Sequence, residues 1–251
     1  MQRNIPAVRD IFAGIRQLFT MTNIQARIYP SNLHFLQQLK EHNERNWFNA
    51  NKNTYLKELA DIELFAGELL KLMNTHDVIE TPSGKKSLHR IYRDTRFSLD
   101  KTPFKTNWSG GFKRAGKTRR GGYYFHIEPG NSFVGGGFWG PNADDLKRIR
   151  EEIAYDAGRL REILNSQLFI TNFGALEGEQ LKTTPKGFNA DNDALNLLRY
   201  KQFLLRKPFS DEEVVSGDFL FKMNEAFKAM RPFFDYMSEV LSTDINGIEI
   251  I

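Results

Sequence analysis

From Ser87 to Trp139 the chain loses the three-and-four spacing of apolar residues that governs both of its flanks and becomes aromatic, β-branched and punctuated by glycine. That change of period admits a run of antiparallel strands between helical segments, and so an α+β fold in which a sheet over about residues 87–139 packs against N-terminal and C-terminal helices. The clearest hairpin pairs Gly122–Glu128 with Phe133–Trp139 around Pro129, Gly130 and Asn131.

On the N-terminal side, Ser31 is placed to cap a helix running to about Glu41, with Leu33, Leu36 and Leu39 on one face and Asn43 to end it. A longer helix is expected from Asn46 to about Met73, broken afterwards by Pro82, Ser83 and Gly84. On the C-terminal side, Asn142 caps a helix to about Tyr155, and residues 170–192 read as a long surface connection. A short helix at Ala194–Leu198 and a strand at Tyr200–Leu205 follow. Ser210 and Glu213 form a capping box, and Arg231–Pro232 restarts the last helix.

The reading of the domains is an N-terminal extension over 1–20, disordered or an over-called start with Met21 as the alternative, and a single α+β domain over 21–251. With 21 phenylalanines, the core is expected to be built on rings. The absence of cysteine rules out disulfides, thiolate metal sites and a cysteine nucleophile, and points to a cytoplasmic protein. No apolar run is long enough for a membrane helix, so no membrane partner is expected.

Charge is the strongest asymmetry. Lys85–Arg120 carries twelve Lys and Arg against Asp94 and Asp100, a local balance of +10 beside +4 for the whole chain. Aromatic residues are interleaved with these charges, as phosphate contacts with stacking surfaces would require, and nucleic acid is the leading candidate partner. The polyanion contacts expected on this reading are Lys113, Arg114, Lys117, Arg119 and Arg120. The bland alternative is a solvated sheet face. Within the block, Arg90–Phe97 alternates; as a strand it would set Arg90, Tyr92, Asp94 and Arg96 on one face, with guanidinium groups flanking a carboxylate. A small phosphorylated or carboxylated ligand is therefore the competing candidate, and Asp94, Lys101 and His126 are the proton-transfer candidates for an enzyme or sensor. His126 and Glu128 share a strand face.

Other motifs carry less. Gly111–Thr118 satisfies the P-loop pattern, but it leads into a strand rather than a helix, which excludes the phosphate-cradling geometry. Gly135–Gly137 fit a bulged, closely packed strand better than a dinucleotide fingerprint. The five scattered histidines give no metal cluster.

Several stretches together carry a resemblance: Arg45, Trp47, Phe48, Asn51, Lys52 and Tyr55; R-I-Y-R-D at 90–94 followed by Arg96, Phe97, Ser98, Asp100, Lys101, Pro103 and Lys105; G-Y-Y-F-H-I-E-P-G at 122–130; G-G-G-F-W at 135–139; and Pro185–Phe188. The chain resembles the bacterial and fungal domain-of-unknown-function family 2461 over about residues 28–242. That resemblance implies one shared domain and supplies neither catalytic residues nor a cofactor. It directs attention to Trp47, Asn51, Arg90, Arg93, Asp94, Arg96, Lys101 and Lys105, either as a network locking the N-terminal helix to the sheet or as the lining of an anion cleft around Arg93 and Trp47. A structural or interaction protein is the third alternative.

Overall fold

The computed structural model describes residues 26–243 and 248–249; the expected extension at 1–20 lies outside them. The chain opens with α1 (Pro30–Glu41), α2 (Arg45–Ala50), α3 (Lys52–Met73) and the short α4 (Gly84–Ser87). Pro30, not Ser31, begins α1: its missing N–H costs nothing in a first turn, and the Asn32 carboxamide oxygen reaches back to accept from the Tyr29 backbone N–H at 2.6 Å. Ser31 donates instead to the buried Glu58 of α3. The expected long helix is two, because the backbone of Asn51 leaves helical geometry between α2 and α3.

Three strands follow, β1 (Trp108–Lys113), β2 (Gly122–Ile127) and β3 (Ser132–Phe138), and β4 (Phe203–Phe209) joins after the helices α5 (Ala143–Tyr155), α6 (Gly158–Asn165), α7 (Gln167–Phe173) and α8 (Leu195–Leu198). The order is β1-β2-β3-β4, antiparallel throughout. The fold is α+β, as the change of period implied. The β2–β3 hairpin forms where expected, with Gly130 at φ 72° supplying the left-handed turn residue. β4 starts three residues and ends four residues later than expected, and it tolerates Pro208 because it is an edge strand. The chain closes with α9 (Asp211–Val214), opened by the Ser210–Glu213 capping box, then α10 (Phe219–Ala229) and α11 (Arg231–Ser242).

The register gives the sheet two unlike faces. One carries Phe112, Tyr123, Phe125, Val134 and Phe138 into a continuous core shared with Phe227, Met230 and Phe234 of the C-terminal helices. Gly136 lies on this face: a Cβ there would stand 2.7 Å from both the Met230 sulfur and a Phe234 ring carbon, so only glycine lets the helices approach. On the other face stand Ser109, Gly111, Gly122, Tyr124, His126, Phe133, Gly135 and Arg206. Several of these positions are glycine, so the open face is hollowed along β2 and β3.

Arg90–Phe97 is not a strand. It is one arm of an irregular loop that touches its return arm through a single bridge, Tyr92 to Phe104, and two backbone hydrogen bonds from Arg93 and Lys105. The alternation of residue faces inferred for it therefore does not apply. The loop is pinned from behind by Asn43, whose carboxamide both accepts from and donates to the Phe104 backbone, and by Phe48 of α2, whose ring stacks on Phe104 with centroids 4.1 Å apart. Such a stack contributes about 0.5–1.5 kcal/mol beyond its buried area. No helix among the described residues is long and apolar enough to cross a membrane.

Candidate functional site

Two hollows meet on the open face. The first, a cleft of about 440 Å³ between the 89–107 segment and the sheet, is lined by His89, Arg93, Asp94, Lys105, Asn107, Ser109 and Tyr124. The second, a groove of about 680 Å³, runs over the glycines of β2 and β3 and is mostly apolar, walled by Phe133, Trp139 and Leu204, with the Arg206 guanidinium 4.4 Å above the Phe133 ring. Tyr124 is common to both.

The charges of the cleft are unequally satisfied. Arg93 is held by Asp100 and Thr102, and the Arg93 guanidinium, with Thr102, draws the Asp100 carboxyl down to about 2. Arg96 forms a two-pronged pair with Asp94, at 2.9 and 2.6 Å, which lowers the Asp94 pKa. Lys101 donates to the Thr95 carbonyl. Lys105 and Arg90, by contrast, form no ion pair with a carboxylate among the described residues, although the Arg90 charge also acts on Asp94; burial first, then Arg90, lowers the Lys105 pKa. Burial and Lys105 lower that of His89 in turn. The Asn107 side-chain oxygen is buried without a hydrogen-bond partner.

From the cleft a chain of polar groups crosses the sheet. His89 Nδ1 lies 3.5 Å from the Ser109 hydroxyl, Ser109 bonds to Tyr124, the Tyr124 hydroxyl lies 3.0 Å from His126 Nδ1, and His126 Nε2 lies 3.1 Å from a Glu128 oxygen. Burial pushes the Glu128 carboxyl up, but hydrogen bonds from Asn131, Thr106 and His126 outweigh it, and its pKa lies below the usual range. Burial pushes the Tyr124 phenol up and the Glu128 charge adds to that, against an opposing hydrogen bond with Ser109.

The sequence candidates divide accordingly. Arg93, Asp94 and Lys105 line the cleft and Arg90 adjoins it, whereas Trp47 and Asn51 do not: Trp47 packs on Phe35 and His42, and Asn51 donates to the Trp47 carbonyl. Those two serve helix packing, and the cleft expected between Arg93 and Trp47 lies instead between Arg93 and Tyr124. Of the polyanion set, Arg114 is misplaced. Its side chain is 1% exposed, enclosed by Asp77 at 2.7 Å, Asp235 at 2.5 Å, Ser238 and the Arg120 carbonyl, because β1 carries it beneath α11. Arg120 is paired with Asp145 and Lys113 with Glu80, while Lys117 and Arg119 are exposed with no carboxylate partner among the described residues. His89, Asn107, Ser109 and Tyr124 were not among the candidates. Tyr124 could have been found by extending the period-two pairing of His126 and Glu128 back by one step; nothing in the sequence marks the other three.

The family model described as a conserved hypothetical protein (DUF2461) matches residues 31–236, from α1 to the first half of α11, and takes in the whole sheet and both hollows. The chain belongs to this family. No curated protein and no solved structure matches it. Within this DUF2461 domain, the described residues hold no group of three or more His, Asp or Glu side chains arranged for a metal ion.

Proposed function

We propose that the protein binds a small molecule whose phosphate or carboxylate group sits at Lys105, Arg90 and His89 and whose apolar body lies along the adjoining groove. The observation that carries this reading is Lys105: a part-buried ammonium at a cleft, without a carboxylate among the described residues, is costly until an anion arrives. Arg93 and Arg96 are held by internal carboxylates and contribute orientation and field rather than free donors. The neighbouring groove supplies the apolar wall typical of small-ligand sites. Of the five expected polyanion contacts, only Lys117 and Arg119 are exposed without a carboxylate partner among the described residues, which gives that reading less support.

Thermal unfolding of the full chain with inorganic phosphate, phenyl phosphate, heparin and a short RNA tests the assignment. Phenyl phosphate near a hundred times its Kd stabilises by about 2.7 kcal/mol, a rise of roughly 5–10 °C for a chain of this size. The shift survives moderate salt, exceeds that of inorganic phosphate and falls at least about tenfold in apparent affinity in Lys105→Ala, as the loss of one charge-assisted hydrogen bond requires. A response only to heparin and RNA that salt abolishes would replace this reading with the polyanion one.

A further inference from the structure

We propose that Tyr124, which lines both hollows and whose hydroxyl is backed by His126 and Glu128, is the catalytic acid–base residue of an enzyme acting on a small phosphate- or carboxylate-bearing substrate. This rests on the proposed anion site for the substrate's anchoring and on separate geometry for its chemistry. Glu128 is ionised, so its oxygen 3.1 Å from His126 Nε2 accepts a hydrogen bond from the N–H there. In the neutral imidazole this tautomer leaves Nδ1 bare, and the atom 3.0 Å from it is the Tyr124 hydroxyl, which donates. His126 is fixed further by stacking on Phe133, with centroids 4.9 Å apart, and Glu128 by Thr106 at 2.7 Å and Asn131 at 3.0 Å.

The base is thus oriented by a third group and aimed at a hydroxyl that reaches the ligand space, the arrangement shared by activated nucleophiles and acid–base pairs on unrelated folds. A ligand proton passes to Tyr124 Oη as the phenolic proton moves to His126 Nδ1. The resulting imidazolium lies between Tyr124 and the Glu128 carboxylate, and the reverse transfer returns a proton to product. Tyr124 is the catalytic residue; His126 and Glu128 are positioning residues that act through it. An isolated buried phenol would stay protonated and inert, so reactivity here reports the relay rather than exposure.

The test uses benzenesulfonyl fluoride, which is uncharged. The phenol attacks sulfur, the S–F bond breaks, fluoride leaves, and the phenolic proton goes to His126. Peptide mapping of the full chain should find Tyr124 labelled faster than Tyr155, although Tyr155 is 90% exposed. His126→Gln should slow labelling at Tyr124 about a hundredfold, the low end of what a positioned acid–base partner contributes, with labelling of Tyr155 unchanged and a cooperative unfolding transition retained. Glu128→Gln should slow it in the same direction, and it serves as the second variant because Thr106 and Asn131 remain to hold the side chain. Tyr124 labelling no faster than Tyr155, or at the wild-type rate in both variants, overturns the proposal. The anchoring is tested apart from it with 4-(fluorosulfonyl)benzoate: this probe should outpace the uncharged one in the wild type but not in Lys105→Ala. An activated Tyr124 without that advantage would sink the anion site and leave the relay standing.

Discussion

The 85–120 stretch places two arginine-rich clusters in one molecule and gives them opposite fates. Arg114, near the far end of β1, is enclosed with Asp77, Asp235, Tyr123 and Ser238, and all of its nitrogens are engaged by the chain itself. Around Arg90 and Lys105 the carboxylates of Asp94 and Asp100 are taken by Arg96 and Arg93, and positive charge is left over at an open cleft. The side chains are chemically alike; what differs is whether the fold delivers a carboxylate to each. Surplus cation at a concave surface is the pattern on which the proposed ligand site rests, and balanced ions under a helix are architecture.

The largest effect belongs to the enclosed cluster. Arg114→Ala leaves the buried Asp77 with only the longer, 3.5 Å pair to Arg231 and should cost about 3 kcal/mol in urea unfolding. A loss below about 1 kcal/mol would erase the distinction between the clusters. The pH dependence has a definite sign. Burial raises the Asp77 carboxyl, but bonds from Tyr123 and the Val78 N–H together with the Arg114 charge outweigh it, so its folded pKa lies below the ordinary value of about 3.9. The stabilisation is therefore complete above that ordinary value and is lost as pH falls through the lower folded value. In Arg114→Ala the acid limb should be visibly shallower.

This contrast also marks how far the chain could be read without its structure. The β2–β3 hairpin was legible because alternation, a Pro-Gly-Asn turn and closely packed glycine all point to one answer. Arg90–Phe97 alternates equally well, but its return arm pairs at only one bridge, and the Asp94 and Asp100 carboxylates accept from the Arg96 and Thr102 backbone N–H groups in place of a ladder. β4 was placed too early, since Pro208 argues against a strand until the segment is known to lie at the edge. Counting basic residues found the charged region but could not separate Arg114 from Lys105, because the partners that decide it, Asp77 and Asp235, lie 37 and 121 positions from Arg114. For the same reason the cleft was sought beside Trp47: only the fold sets Ser109 and Tyr124 against His89.

A smaller effect sharpens the open cluster. Burial and Lys105 hold the His89 pKa below its usual value of about 6.5, so the free protein keeps this imidazole neutral where the unfolded chain would already be protonated. Stability is correspondingly lost as pH falls from the unfolded value through the folded one. An anion at Lys105 reverses the balance by favouring the imidazolium, and binding then takes up a proton. Affinity for benzoate, whose carboxylate stays ionised across this range, should rise severalfold as the pH is lowered through and below about 6.5. Calorimetry in buffers of different ionisation heat would register the uptake, and His89→Gln should flatten both signals. Asp94 and Arg93 also face the cleft, so a wild-type slope persisting in His89→Gln would move the titration away from residue 89.

The smallest expected effect is the most discriminating between the two kinds of ligand. Lys117 and Arg119 lie in the β1–β2 connection, exposed, and neither lines the cleft or the groove. Reversing both to Glu changes the net charge by four without removing an internal ion pair, and surface substitutions of this kind stay within about 0.5 kcal/mol in stability. A small anion held at Lys105 feels them only through screened long-range potential, so phenyl phosphate affinity at moderate salt should be unchanged within about twofold. A polyanion crossing the whole basic surface would lose two phosphate contacts and gain two repulsions, with a shallower dependence of binding on salt. Titration of the double variant with phenyl phosphate and with a short RNA at two salt concentrations therefore separates a cleft from a surface, and a collapse of phenyl phosphate binding would place the working cations at the β1–β2 connection instead of at Lys105.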